Sequence, residues 1–382
     1  MDFELTTEQI GFRDTVRQFA EREVRPIAEE LDARGEFHYA LVPKMAELGL
    51  FGVIFPEKYG GLGVDTLTYS LVLEELARVD SSVAATVAGQ VNLCGDLIYR
   101  LGTEAQRDKW LRPLIRGEML GAFGLTEPSA GSDAGGTRTR AERVGDNWVI
   151  NGSKCFISNA GTRMKEIVVI AAVTGSGPSG KKLTSALVVE SGTPGFRAGK
   201  QYRKMGWRSS ATAELIFEDC RIPAANLLGV EGRGFKQFLE TLNLGRIAIA
   251  SLGVGLAQGC LEMALAYAKN REQFGQPISK FQAIQFKLAD MAVKVELARL
   301  ITHKAAALRD YGKPFAMEAA MAKLYGAEIA TEVSHQAIQV HGGTGFMDDC
   351  AVSRFYRDAR ILEIGEGTSE IQRLVIARNL GC

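Results

Sequence analysis

The spacing of apolar residues changes character twice along the chain. From Thr7 to about residue 120 it is helical. Ile10, Phe12, Val16, Phe19, Ala20 and Val24 form one broad stripe, opened by a capping sequence at Thr6-Thr7-Glu8-Gln9. Pro43 to Leu50 is a short amphipathic turn. A glycine-rich loop follows at Gly60-Gly61-Leu62-Gly63, and Asp65 caps a helix running to Arg78. Ser81 to Leu101 is small and apolar on most faces, as expected of a buried helix or a cavity wall. Thr103 opens a last amphipathic segment that Gly117 closes.

From Gly121 to Gly229 the signals are those of strands. Trp148-Val149-Ile150 and Lys154-Cys155-Phe156-Ile157 flank Asn151-Gly152, which reads as a hairpin turn. Ile167 to Val173, Ser185 to Val189 and Ala213 to Phe217 are further strands, with Gly175 to Gly180 a flexible surface link. Helical spacing returns at Gly232 and persists to the end. The fold expected is α+β: an N-terminal helical domain (1–120), a central β domain of barrel or sandwich type (121–230) and a C-terminal four-helix bundle (231–382).

Composition narrows the function without naming it. The chain has 382 residues, 46% of them hydrophobic, and its 45 basic side chains balance 45 acidic ones. No net field draws it to nucleic acid or to an anionic membrane. No uninterrupted apolar run reaches a bilayer-spanning length. Met1-Asp2-Phe3-Glu4 leads straight into a helix, so the expectation is a cytoplasmic protein, or an organelle-matrix protein whose leader has been removed. The six cysteines are scattered without C-x-x-C pairing, and the four histidines lack ligand spacing, so neither a disulfide frame nor a metal site is expected. Gly253-x-Gly255-x-x-x-Gly259 mimics a dinucleotide fingerprint. It lies inside a helical run with no strand before it, and reads as a helix-packing surface.

The candidate chemistry sits near the C-terminus, where Glu366 lies between Gly365 and Gly367. A carboxylate on a turn bared by glycines can serve as a general base, and the same residues also make an ordinary polar turn before the cap at Thr368. Three other stretches each read equally well as plain turns or caps. They are Thr126 to Gly136, Arg271-x-x-Phe274-Gly275, and Gln339-x-x-Gly342-Gly343-x-Gly345-Phe346.

Together the α–β–α order, Leu125-Thr126-Glu127, Ser132-Asp133, Lys154-x-Phe156-Ile157-Ser158-Asn159, these two glycine-bearing stretches, Arg357-Asp358-Ala359 and Glu366-Gly367-Thr368-Ser369 resemble the acyl-CoA dehydrogenase family along essentially the whole chain. The resemblance implies FAD, an acyl-CoA thioester substrate, Glu366 as the base that removes the α-proton, and an electron-transferring flavoprotein as acceptor. It implies that Phe123, Leu125, Thr126 and Ser132 line the flavin and the start of the CoA channel, with Phe156, Ile157 and Ser158 on the flavin's other side. Arg271, Phe274, Gln282, Gln339 and Gly343 would hold the rest of FAD, partly from a neighbouring subunit of a homotetramer, and Thr368 and Glu370 would also reach it. Ser132, Asn243, Arg246 and Gly367 would meet the substrate.

Three departures bear on specificity. Gly365 replaces the usual aromatic before the base. Gly245 stands where some members carry their base, and Ala84 where decarboxylating members carry an arginine. The same scaffold also admits an acyl-CoA oxidase, an enoyl-CoA reductase or a non-catalytic flavoprotein.

Overall fold

Several helices start where a side-chain oxygen takes an unpaired backbone N–H. The computed structural model describes residues 4–178 and 180–382, so the expectations on Met1 to Phe3 and Ser179 lie outside the described residues. Thr6 and Thr103 each close a capping box with the glutamine three residues on, and Asp65 accepts from Thr68 N–H. The N-terminal region comprises α1 (Thr7–Phe19), α2 (Arg25–Arg34), α3 (Leu41–Glu47), α4 (Thr66–Ala77), α5 (Ser81–Ala88), α6 (Asp96–Leu101), α7 (Glu104–Gln106) and α8 (Arg112–Ile115). A π-helical turn, Gly89–Gly95, joins α5 to α6 without a break. Such turns recur at functional sites because the extra residue re-aims the side chains around it.

The central region contains β1 (Met119–Gly124), β2 (Arg140–Val144), β3 (Asn147–Ser158), β4 (Lys165–Ser176), β5 (Lys182–Glu190), β6 (Phe196–Gln201), β7 (Thr212–Pro223) and β8 (Leu227–Leu228). They form one eight-stranded sheet of order β6-β7-β3-β2-β4-β5-β8, with β1 pairing parallel to β4. β4 is buried on both faces, with period two. Val168, Ile170 and Ala172 enter the core of the β region, with Trp148, Ile150 and Phe217. Ile167, Val169 and Ala171 enter a second core shared with the helices. The sheet is therefore welded to the helical regions and holds the site between them.

The Asn151-Gly152 hairpin expectation is corrected. β3 runs through both residues, and the turn lies earlier, at Gly145-Asp146 between β2 and β3. Asn151-Gly152 is a bulge against β7, where the register slips between Ile150 and Gly152. Gly152 has φ +144°, and a Cβ there would lie 2.6 Å from Thr139 Oγ1. The Asn151 amide exchanges hydrogen bonds with Asp219 across the bulge. A bulge and a tight turn demand the same backbone freedom, so the dipeptide alone does not separate them.

The C-terminal bundle consists of α9 (Gly234–Asn270), α10 (Gln282–Asp310), α11 (Ala316–His341), α12 (Ala351–Leu362) and α13 (Ser369–Leu380), with a small hairpin of β9 (Glu272–Gln273) and β10 (Gln276–Pro277) after α9. α9 is long and apolar enough to cross a membrane, but 78% of its most apolar window is buried inside the fold. Its glycines permit close packing, as read from the sequence. A Cβ at Gly253, Gly255 or Gly259 would fall 2.2–2.5 Å from a backbone oxygen of Gly326, Glu74 or Arg78.

Candidate active site

α12 ends at Leu362, and the chain turns through Glu363 to Thr368 before α13. Gly365 N–H closes onto Ile361 O at 2.8 Å, and Ser369 N–H onto Glu363 O at 3.0 Å. Thr368 caps α13 by accepting from Ile371 N–H. Within this turn Glu366 has φ +54° and Gly367 φ +96°. A left-handed glutamate is strained, by roughly 1–3 kcal/mol, and such strain collects at functional sites. Its backbone N–H makes no hydrogen bond among the described residues.

The Glu366 carboxylate projects inward against Gly245 of α9. A Cβ on Gly245 would lie 2.0 Å from Glu366 Oε2 and 3.4 Å from Asn92 Nδ2. Both of those atoms are buried without a partner among the described residues. Asn92 belongs to the π turn, and its Oδ1 accepts from Tyr69 O–H at 2.8 Å. Burial pushes the Glu366 carboxyl up to about 7, against the lowering pull of Lys323 and Arg246. Lys323 of α11 is fully buried and donates to Gly367 O at 2.7 Å, and Gln372 Nε2 donates to the same oxygen at 2.8 Å. Arg246 pairs with Asn243 Oδ1 at 2.5 Å and leaves its Nε buried and unpartnered among the described residues. Arg246 thus lies within electrostatic reach of Glu366.

α12, which carries this turn, is pinned at Asp358. That carboxylate accepts from Trp207 N–H at 2.6 Å and from Ser81 Oγ at 3.0 Å, joining the β region and α5. Burial next to Asp80 raises its pKa.

A second cluster lies on the β region. Cys155 N–H bonds to Thr126 O at 3.0 Å, which brings the Thr126 loop beside Phe156 and Ser158. The loop is held by a buried ion pair, Lys154 Nζ to Glu127 Oε1 at 2.8 Å. Lys154 also donates to Leu125 O, and Glu127 accepts from Arg138 and Thr139 N–H. Phe156 has φ +60° and is 67% exposed, next to Tyr202. Leu125, Thr126 and Ser158 are half-buried, Ser132 is exposed, and Phe123 packs on Phe238 of α9. Ile157 points into the β core.

A third cluster lies at the far end of the bundle. Phe274 and Gly275 form the two-residue tip of the β9–β10 hairpin, both with positive φ. That geometry suits Asn-Gly and strains phenylalanine. The Phe274 ring is 94% exposed. Tyr267 stacks on His341 at 4.4 Å, so Arg271 and Phe274 share one end of the bundle with Gln339 and Gly343. Gln282 opens α10 nearby and is exposed, as are Arg271, Gln339, Gly343 and Glu370. From Gly245 to Arg271, at about 1.5 Å per residue, α9 spans roughly 39 Å. This cluster and Glu366 of the same chain therefore sit at opposite ends of the bundle.

Comparison with known proteins places this arrangement. The chain matches the acyl-CoA dehydrogenase N-terminal domain over residues 6–118, the middle domain over 122–220 and the C-terminal domain over 232–381. It belongs to the acyl-CoA dehydrogenase family of oxidoreductases, which act on CH–CH bonds. Among its relatives, a probable acyl-CoA dehydrogenase of Bacillus subtilis, YngJ, is 55% identical over 100% of both chains. The mouse short-chain specific acyl-CoA dehydrogenase, mitochondrial, is 49% identical over 96% of this chain and 89% of its own. The solved butyryl-CoA dehydrogenase of Megasphaera elsdenii superposes with a TM-score of 0.96 at 44% identity, covering 100% of each chain.

Tyr69, Asn92 and Lys323 carry no local signature in the sequence. They reach Glu366 from α4, the π turn and α11, elements far apart in the chain.

Proposed function

We propose that this protein is an FAD-dependent dehydrogenase of short acyl-CoA thioesters, forming the trans-2-enoyl-CoA, with Glu366 as its base and an electron-transferring flavoprotein as acceptor. The observation that carries the reading is the unpartnered, buried Oε2 of Glu366, held at a carboxyl pKa of about 7 beside a free backbone N–H. A base that must take a weakly acidic α-proton near neutral pH needs both features. The carboxylate must not be spent on another partner, and its pKa must approach the working pH. The Glu366 N–H supplies a donor for the thioester oxygen, where negative charge develops as the proton leaves.

The residues present fit FAD. Phe156 offers an exposed ring beside the half-buried Thr126 and Ser158 hydroxyls. When bound there, FAD supplies the two-electron acceptor for the β-hydride. Arg271 and Phe274 stand too far from their own Glu366 to serve the same cofactor, so they complete the site of a second copy. α10 supports assembly, because Phe286, Val293, Leu297 and Leu300 are 40–62% exposed along one face. A homotetramer built on that face buries the apolar residues and brings the hairpin of one subunit to the flavin of another.

Short chains are favoured by the relatives, two of which are named for short-chain or butyryl substrates. The test is anaerobic titration of the FAD-loaded protein with straight-chain acyl-CoAs of increasing length. Bleaching by the short ones supports the reading. A yellow protein that no acyl-CoA bleaches refutes it.

A further inference from the structure

Lys323 is fully buried, yet its only hydrogen bond among the described residues is to one carbonyl, Gly367 O at 2.7 Å. An ammonium has three donors, and burying it with one acceptor is expensive. Gln372 already donates to the same oxygen, so satisfying that carbonyl does not require a charge. The turn it touches is the strained one, with Glu366 and Gly367 both left-handed.

We propose that Lys323 is a positioning residue for the base. It pins the Gly367 carbonyl so that the Glu366 peptide keeps its left-handed conformation, and it sets the pH at which the carboxylate forms. The inference rests on the reading of Glu366 as base. Three groups face Glu366 electrostatically: Lys323 from α11, Arg246 from α9 and Tyr69 from α4. Lys323 in turn meets Glu366 and Glu363 of the turn, Arg246, and the exposed Glu370 of α13. Burial lowers the Lys323 pKa to about 8, against the raising pull of Glu366 and Glu363, so the ammonium persists across neutral pH. Its charge favours the carboxylate. Removing it leaves Arg246 as the one cation beside the base among the described residues, and the carboxyl must titrate higher.

The test compares FAD-loaded wild type with Lys323→Arg, Lys323→Gln and Lys323→Met. Two quantities are read across pH: the rate of anaerobic flavin reduction by butyryl-CoA, and the binding of crotonyl-CoA, which needs no base. The rate midpoint should move up by about one pH unit in the Gln and Met variants. It should stay at the wild-type value in Lys323→Arg, with crotonyl-CoA affinity at high pH unchanged in Lys323→Arg and Lys323→Gln, which keep a donor to Gly367 O. Lys323→Gln keeps a neutral donor to Gly367 and decides the matter if Lys323→Met fails to fold. Coincident midpoints in wild type and Lys323→Gln overturn the inference, whatever happens to stability or maximal rate. A wild type that butyryl-CoA never reduces overturns the base assignment itself, and this inference with it. Reduction of wild type with an unshifted Gln variant overturns this inference alone.

Discussion

Glu366 Oε2 occupies the space that a side chain on Gly245 would fill, 2.0 Å from where its Cβ would stand. The sequence marks Gly245 only as a place without a carboxylate. In the fold, that absence is what admits the carboxylate of Glu366 from the other end of the bundle sequence. One position of α9 and one turn after α12 thus share a single volume, which holds one side chain and not two.

Gly245→Ala should therefore displace the carboxylate. Backbone φ at Gly245 is helical, so alanine is tolerated locally and the fold should survive. A shift of about 1 Å at the base costs on the order of 100-fold in flavin reduction. Stopped-flow reduction rates at fixed FAD content check this, and an unchanged rate would mean that the carboxylate works from another rotamer.

Flavin reduction should depend on pH through Glu366. The neutral acid cannot accept the α-proton, and the carboxyl titrates at about 7. The rate should be low at pH 5, rise through about pH 7 and level off above it. A rate that is flat from pH 5 to 9 would remove Glu366 from the proton transfer.

The same shift has a sign for stability. The folded carboxyl pKa lies above the ordinary glutamate value of 4.5, so Glu366 costs nothing below that value and destabilises the fold as pH rises through about 7. Glu366→Gln removes the buried charge. It should raise stability at pH 8 by up to about 3 kcal/mol and have little effect at pH 4. Denaturant melts at the two pH values give the difference directly.

The Glu127–Lys154 pair should be structural. The Lys154 side chain is 0% and that of Glu127 4% exposed, and the pair anchors the loop beside Phe156. Lys154→Met strands Glu127 and should cost about 3–5 kcal/mol, with loss of FAD. Pairing it with Glu127→Leu should recover part of the loss. A double variant no better than Lys154→Met would show that the loop depends on the charges themselves.

Leu297→Asp, on the exposed apolar face of α10, should break the proposed homotetramer into smaller species with lower FAD occupancy. Light scattering reports the mass, and the visible spectrum the flavin. An intact tetramer would place the interface elsewhere.

Local signals were legible. The caps at Thr6, Asp65, Thr103 and Thr368 were readable because a cap is made within four residues. The long helices were readable from their period, and the packing role of Gly253 to Gly259 from its helical setting. Asn151-Gly152 misled because a bulge and a hairpin turn ask the same of the backbone. The Glu366 turn was visible as a motif and as a candidate base, but the surroundings that raise its pKa were not. What suits the carboxylate to the proposed role of base is burial against Gly245, with Lys323, Arg246, Tyr69 and Asn92 gathered from four elements by packing. No stretch of sequence contains that set.

The most direct measurement is the anaerobic visible spectrum of FAD-loaded wild type and Glu366→Gln during titration with butyryl-CoA. The account predicts that wild type bleaches, while the variant keeps its flavin, binds the ligand and stays oxidised. A variant that bleaches as fast as wild type would contradict Glu366 as the base.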